Sequence, residues 1–144
     1  MINGTQTRGV LMEHTPGGEL EWSPGSSETF SGRVWSTPLS RGANRAVTVI
    51  GVIFEPRART FWHSHPDGQV LYVATGAGRV GSANGRVIEI AAGDVIYAEA
   101  GERHWHGAGP SSHMMHLSIT SGGATEWEPE AVTEQEYTAG TSPR

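Results

Sequence analysis

Short apolar runs separated by turn-forming residues dominate the chain between Ala46 and Thr120. The runs are rich in Val, Ile and Tyr, and the breaks carry turn signals such as Pro66-Asp67-Gly68 and Asn84-Gly85. Regularly spaced short strands with tight turns are typical of a sandwich or a closed barrel. Composition agrees, since the 144 residues include 20 Gly and 8 Pro but only five Leu. We therefore predict an all-β fold.

The length of the chain suits a single domain with one core. The barrel itself is expected to span residues 46–137. Residues 1–45 are predicted to form an arm that wraps the barrel or joins a second subunit, and residues 138–144 a loose tail. Within the barrel segment, Thr133-Glu134-Gln135-Glu136 matches a capping box and predicts one short helical turn.

Charge and cysteine content exclude several classes of protein. The chain has no Cys, which removes disulfides, thiolate metal sites and cysteine nucleophiles. Its net charge of −5 and its lack of Lys argue against nucleic acid or an anionic membrane as a partner. The sequence shows neither a signal-peptide pattern nor an apolar stretch long enough to cross a membrane. We expect a cytoplasmic protein that acts on a small molecule.

Six of the seven histidines fall between positions 63 and 116. His63 and His65 are two residues apart on a predicted strand, so their side chains share one face, and His104 and His106 repeat this spacing. Neutral imidazoles are common ligands of divalent transition metals. Two such pairs on neighbouring predicted strands favour a metal site inside the barrel over scattered structural histidines.

Two of these histidines are also candidates for acid–base chemistry. Alternation along the predicted strand from Met114 to Thr120 directs His116 into the barrel, and His106 points the same way as His104. Because imidazole titrates near neutrality, His106 and His116 can move protons, or they can orient a metal ligand.

The space around the imidazoles is expected to be small and mostly apolar, which suits a small aromatic or aliphatic substrate. Taken singly, a residue of this kind is more often part of an ordinary core. The predicted lining residues are Ile50, Val52, Phe61, Leu71 and Thr120.

Two segments resemble the motifs of the cupin superfamily. The first reads RARTFWHSHPDGQVLYVATG and the second reads GDVIYAEAGERHWHGAGP. Together with the later pattern MxHLxI, they are similar to the bacterial manganese-dependent hydroxynitrile lyases. The resemblance runs from about Val47 through Tyr137 and implies a single-domain jelly-roll barrel of two antiparallel sheets.

The resemblance also implies a cofactor and a reaction. It suggests one divalent transition metal per subunit, with Mn first and Fe, Ni or Zn as alternatives, and reversible cleavage of a cyanohydrin. His116, His106 and Thr60 would then be the catalytic residues, and cupins of this size commonly form homodimers or homotetramers. The metal ligands carried over from the family are His63, His65, Gln69 and His104.

Gln69 stands where most cupins have Glu. Three imidazoles and one amide leave a divalent metal with its full charge, so the site would be a stronger Lewis acid and a better host for an anion. Two other functions stay open at this stage. One is a non-haem metal dioxygenase that activates O₂ at an open coordination position, and the other is a non-catalytic, metal-stabilised binding protein.

Overall fold

The computed structural model describes residues 12–40 and 46–142, and within these ranges short strands alternate with turns. The all-β prediction is confirmed, since the described part contains one short α-helix, α1 (Glu134–Tyr137), and a 3₁₀ turn at Gly17–Glu19. The strands are β1 (Ser23–Pro24), β2 (Phe30–Ser31), β3 (Val34–Pro38), β4 (Val47–Phe54), β5 (Arg59–Thr60), β6 (His63–Ser64), β7 (Gln69–Ser82), β8 (Val87–Ala91), β9 (Val95–Ala98), β10 (His104–Ala108), β11 (Met114–Ser121), β12 (Glu126–Trp127) and β13 (Thr141–Ser142).

These strands form two curled sheets that share β7. The first sheet runs β1-β3-β4-β11-β7-β9. The second contains β2, β5, β10, β7 and β8, with β6 on β10, β12 on β6 and β13 on β8. Among the described strands only the β13–β8 pairing is parallel. The two sheets enclose a barrel, as the jelly-roll prediction requires.

β7 joins the sheets because it changes partners along its length. Residues 69–76 pair with β11, whereas residues 77–82 pair with β8 and β10. The change falls at Gly76, which has a φ of +79° and where a Cβ would collide with the carbonyl group of His113. The sequence predicts two strands here, and the structure corrects this to one long strand that the glycine allows to bend.

A second correction concerns the strand predicted from Thr60 to His65. The structure splits it into β5 and β6, because the N–H of Phe61 donates to the carbonyl of Thr29 and that of Trp62 to the carbonyl of Glu130. The intervening residues therefore leave the ladder that β5 and β6 each form with β10. His63 and His65 remain buried.

Two predictions from local turn chemistry are confirmed. Asn84 and Gly85 lie in the hairpin between β7 and β8, with Gly85 at φ +88°. Thr133 caps α1, since its hydroxyl accepts a hydrogen bond from the N–H of Glu136 at 3.1 Å. The Glu136 carboxylate in turn accepts from the N–H of Thr133 at 2.9 Å.

Two apolar clusters lie on opposite sides of the second sheet. The inner one fills the barrel, and the outer one lies beneath the C-terminal segment. Because successive residues of a strand face opposite sides, Trp105 of β10 belongs to the outer cluster while its neighbours face inward. The inner cluster comprises Val34, Val52, Phe54, Ala58, Leu71, Val73, Val80, Ile90, Ala108 and Met114, and the outer one Trp62, Val87, Trp105, Val132 and Tyr137.

Part of the segment predicted as an N-terminal arm is paired with the barrel. β3 runs antiparallel to β4 over its whole length, and β2 pairs with β5. Residues 1–11, 41–45 and 143–144 lie outside the described residues, so the boundaries at 45 and 137 and the role of the arm stay predictions. Within the described ranges, no helix is long and apolar enough to cross a membrane.

Candidate metal centre

Five histidines meet inside the barrel. His63 of β6 lies directly across from His104 of β10 in the antiparallel pairing of those strands, and His106 follows two residues along β10. His65 lies just after β6, and His116 enters from β11. All five side chains are buried. The prediction that both His-x-His pairs point to one interior is confirmed by this geometry.

Hydrogen bonds to the main chain determine which nitrogen carries the proton in two of the rings. Nδ1 of His63 lies 2.9 Å from the carbonyl oxygen of Phe61, and Nδ1 of His104 lies 2.9 Å from that of Glu102. A carbonyl oxygen only accepts, so each Nδ1–H donates and each Nε2 keeps its lone pair. This arrangement is typical of histidines that ligate metals, because the second nitrogen orients the ring.

Ring nitrogens of three histidines converge inside the barrel. One ring nitrogen from each of His63, His104 and His106 lies within 4.8 Å of the other two, so this buried group could hold a metal ion. The ring centroids of His63 and His104 are 4.4 Å apart, and those of His63 and His65 are 5.1 Å apart. The structure therefore brings His106 into the group, although the resemblance assigned it to catalysis. Which imidazoles ligate the metal stays a prediction.

The acceptor atoms of Gln69 and His65 indicate that a cation fits among the imidazoles. Oε1 of Gln69 lies 2.8 Å from Nε2 of His104, so two acceptor atoms face each other. Nε2 of His65 is buried without a hydrogen-bond partner. Orphaned or opposed acceptors in an apolar interior are costly unless a cation or a proton lies between them. These donor atoms fit a divalent transition metal that accepts nitrogen and oxygen ligands.

His106 and His116 continue the group away from this point. Nε2 of His106 lies 3.2 Å from Nε2 of His63, and Nδ1 of His106 lies 2.9 Å from Nε2 of His116. When no metal is bound to Nε2 of His63, His106 donates to its lone pair through Nε2–H, and His116 donates to Nδ1 of His106. In that arrangement Nδ1 of His116 is unprotonated, and among the described residues it is buried without a hydrogen-bond partner. The hydrogen-bonded series His63, His106 and His116 therefore ends in a nitrogen that can accept a proton.

Burial keeps these rings neutral at pH 7. It lowers the pKa of His116 to about 4, and burial together with His104 lowers the pKa of His65 to about 4. Burial also lowers the pKa of His104, and for His63 and His106 burial and the neighbouring imidazoles lower the pKa well below its ordinary value. Neutral imidazole is the form that binds a metal. No carboxylate lines the cavity among the described residues, so a divalent ion there would keep its full charge.

A cavity of about 130 Å³ opens beside the imidazoles. Of the predicted lining residues, Ile50 and Val52 lie on its wall, and Thr60 does too, its hydroxyl accepting from the N–H of His106 at 3.2 Å. Leu71 and Thr120 do not line it: Leu71 belongs to the inner apolar cluster, and Thr120 lines a separate depression. Phe61 contributes only its carbonyl group, through the bond to His63.

Sequence reasoning missed several lining residues. Trp127 lines the cavity, with its ring centroid 4.6 Å from that of His63 and 5.8 Å from that of Phe30. Ser118 was recognisable, because it shares the inward face of β11 with His116, whereas Phe30, Thr125 and Trp127 come from remote segments without a local signal. The missed residues are Phe30, Ser36, Ser118, Thr125 and Trp127.

Comparison with known proteins agrees with the fold. Residues 51–120 match the family model of the cupin domain. The chain is also 43% identical over 117 residues to a protein from Granulicella tundricola, across 78% of this chain and 88% of that protein. It therefore belongs to the cupin family, and the relative from Granulicella tundricola is named (R)-mandelonitrile lyase.

Solved structures show the same architecture. A cupin-like protein from Thermotoga maritima superimposes with a TM-score of 0.76 at 40% identity, covering 80% of this chain and 90% of that one. The polyketide cyclase RemF from Streptomyces resistomycificus superimposes with a TM-score of 0.70 at 20% identity, covering 92% of this chain and all 100% of that one. The second likeness is one of fold alone.

Proposed function

We propose that this cupin is a metal-dependent lyase that cleaves a cyanohydrin reversibly into a carbonyl compound and hydrogen cyanide. The observation that carries the proposal is the buried group of neutral imidazoles beside a small cavity that no carboxylate of the described residues lines. The 43% identity to a protein named (R)-mandelonitrile lyase supports the choice of reaction. His63, His65, Gln69 and His104 would hold the metal, with Mn as the first expectation.

When bound, the metal would supply Lewis-acid stabilisation for negative charge that develops on the substrate oxygen or on cyanide. The protein's own residues would carry the proton. His116, whose Nδ1 has no partner, would take the hydroxyl proton of the cyanohydrin, and His106 would hold the His116 ring through its 2.9 Å hydrogen bond. Thr60 would donate a hydrogen bond from its hydroxyl group to the substrate oxygen.

The bonds and electrons balance without an oxidant. The bond between the carbinol carbon and the nitrile carbon breaks, and its electron pair leaves with cyanide. The O–H electron pair forms the carbonyl group, and the proton held by His116 passes to cyanide. The apolar walls of the cavity, including Ile50, Val52 and Phe54, would exclude water from this exchange.

The test is turnover of aliphatic and aromatic cyanohydrins, mandelonitrile included, by metal-loaded and metal-stripped protein, with and without oxygen. We expect metal-dependent release of cyanide that does not depend on oxygen. If no cyanohydrin is cleaved above the metal-free background, the lyase proposal is wrong. If turnover consumes O₂ stoichiometrically, the protein is a dioxygenase instead.

We also propose that the chain associates with a second copy of itself. Tyr72, Val95 and Tyr97 stand exposed on the outer face of the first sheet, where Tyr72 and Val95 are cross-strand neighbours. The outward residues of β4, β9, β11 and residues 69–76 of β7 include no charged side chain, so no like charges would face each other if two copies met there. A dimeric or tetrameric mass by light scattering at micromolar concentration supports this, and a monomeric mass contradicts it.

A further inference from the structure

The amide of Gln69 is held at both ends. Its Oε1 lies 2.8 Å from Nε2 of His104, and its Nε2 donates to Oγ of Ser118 at 2.8 Å. Gln69 is buried in β7, and Ser118 lies on the inward face of the neighbouring strand β11 at the cavity wall. In this arrangement the oxygen end of the amide faces the imidazoles, and the NH₂ end faces Ser118.

The two possible orientations of the amide have different consequences. With the NH₂ group turned toward His104, the amide would donate to the lone pair on Nε2 and could not ligate a cation. With the oxygen turned inward, a lone pair of the amide joins that of His104, and the NH₂ group needs an acceptor elsewhere. Ser118 is that acceptor, and a buried NH₂ group without one carries the cost of desolvation.

We propose that Ser118 is a positioning residue that keeps Oε1 of Gln69 directed at the metal. The inference rests on the proposed metal centre, but it does not depend on the reaction being a lyase reaction. Ser118 itself would not touch the metal. Hydrogen-bond partners that orient a ligand typically change metal affinity by about 10–100-fold when they are removed, and we expect a loss in that range.

Threonine and valine at position 118 give a matched pair, because they have the same shape and only threonine keeps the hydroxyl group. We would titrate metal-stripped full-length protein with Mn²⁺ by calorimetry, and with Co²⁺ by its visible absorption spectrum. Ser118→Thr should bind close to wild type. Ser118→Val and Ser118→Ala should bind about 10–100-fold more weakly, with an altered Co²⁺ spectrum.

The double variant Ser118→Val with Gln69→Ala decides whether the two residues act together. If Ser118 acts through Gln69, the double variant should bind no more weakly than Gln69→Ala alone, since residues that share one interaction are not additive. Equal affinity of the threonine and valine variants, or full additivity in the double variant, overturns the inference. A wild type that binds neither metal overturns the metal centre as well, which separates the two failures.

Discussion

Strand β10 separates two polar clusters that differ in how their polar atoms are partnered. On its inner side lie the five imidazoles. On its outer side lies an arginine cluster, in which the guanidinium carbons of Arg57, Arg59 and Arg79 are 5.4, 4.2 and 4.9 Å from the ring centroid of Tyr137. Both clusters contain groups that are expensive to bury.

The arginine cluster meets most of its hydrogen-bonding needs within the chain. Arg59 donates to the carbonyls of Arg57 and Val132 at 3.2 and 3.0 Å, and Glu134 forms ion pairs with Arg57 and Arg59. Nε of Arg59 and Nε of Arg79 have no hydrogen-bond partner, yet each guanidinium is held by carbonyl groups and by the Tyr137 ring. The arginine cluster therefore has a structural role, since it attaches the C-terminal segment to the outer side of the barrel.

The imidazole cluster contains acceptor atoms that no donor of the described residues satisfies. Lone pairs face each other between Gln69 and His104, and His65 and His116 each keep an unpartnered nitrogen. An internally satisfied cluster stabilises the fold, whereas unmatched acceptors need a cation or a substrate from outside. Substitutions on the two sides of β10 should therefore separate function from stability.

The largest expected effect is removal of a ligand. His63→Ala, His65→Ala and His104→Ala should each lose most of the bound metal, and cyanohydrin cleavage should fall to that of metal-stripped protein. Each substitution removes one of the few donor atoms that hold the ion. His113→Ala is the matched control, since this histidine is exposed and its side chain contacts the hydroxyl of Thr75 at 3.1 Å, away from the imidazole group. Unchanged metal content in all three variants would contradict the site.

The second effect is loss of the base. His116→Ala should keep its metal yet cleave cyanohydrins about 10²–10⁴-fold more slowly, which is the usual contribution of general acid–base catalysis. Initial rates of cyanide release at matched metal occupancy provide the measurement. Wild-type rates in this variant would remove His116 from the mechanism and leave the metal site intact.

The third effect lies on the outer side of β10. Tyr137→Ala should lower the free energy of unfolding by about 3–5 kcal/mol, as for other buried aromatic truncations. Tyr137→Phe should lower it by about 1 kcal/mol, because it loses only the hydrogen bond to the Ala108 carbonyl. Urea denaturation measures both. The metal affinity of the folded variants should equal that of wild type. A large drop in affinity would show that the two clusters do not act independently.

The fourth effect is a response to acid. Unfolded imidazoles take up protons below their ordinary pKa of 6.5, whereas His65 and His116 in the folded state do so only near pH 4, where burial places their pKa. The unfolded state therefore binds more protons between these values, so stability is full above about pH 6.5 and falls toward pH 4. The melting temperature of metal-stripped protein between pH 7.5 and 4.5 should drop, and a flat profile would contradict neutral burial.

The arginine cluster should contribute little to that slope. Guanidinium groups stay charged throughout this range. The hydrogen bond and charge of Arg57 lower the pKa of Glu134 below its ordinary value, so that carboxylate protonates only under stronger acid. The acid response between pH 6.5 and 4.5 should therefore weaken in His116→Phe and persist in Tyr137→Phe.

The smallest predicted effect concerns the charge of the metal site. Gln69→Glu should keep the metal but bind cyanide at least about tenfold more weakly, because a carboxylate cancels part of the positive charge that attracts the anion. Titration of the metal-loaded variant with cyanide measures this. Equal cyanide affinity in the variant and the wild type would show that the neutral ligand does not set the charge of the site.

Much of the fold followed from local patterns. Alternating apolar runs and turn residues located β4, β8 to β11 and the capped helix α1, because those elements depend on nearby residues. The continuity of β7 and the break between β5 and β6 did not follow. They depend on contacts with His113, Thr29 and Glu130, which lie far away in sequence.

The site was predictable where one strand carries the pattern. Histidine spacing placed His63, His104 and His106 together, and alternation along β11 directed His116 into the barrel. The same alternation argument wrongly included Thr120 and Leu71 in the cavity wall, because it gives the face of a strand on which a residue lies and not the extent of the cavity. Trp127 was missed since two-residue strands such as β12 are too short to leave a pattern.

The most direct test of the metal centre is elemental analysis of protein purified without an affinity tag. We expect one divalent transition metal per chain, with Mn as the first expectation, that dialysis against a chelator removes and that His104→Ala fails to retain. A protein that carries no transition metal above trace level, and that still retains none after loading with Mn²⁺, Fe²⁺, Ni²⁺ or Zn²⁺, would contradict the account.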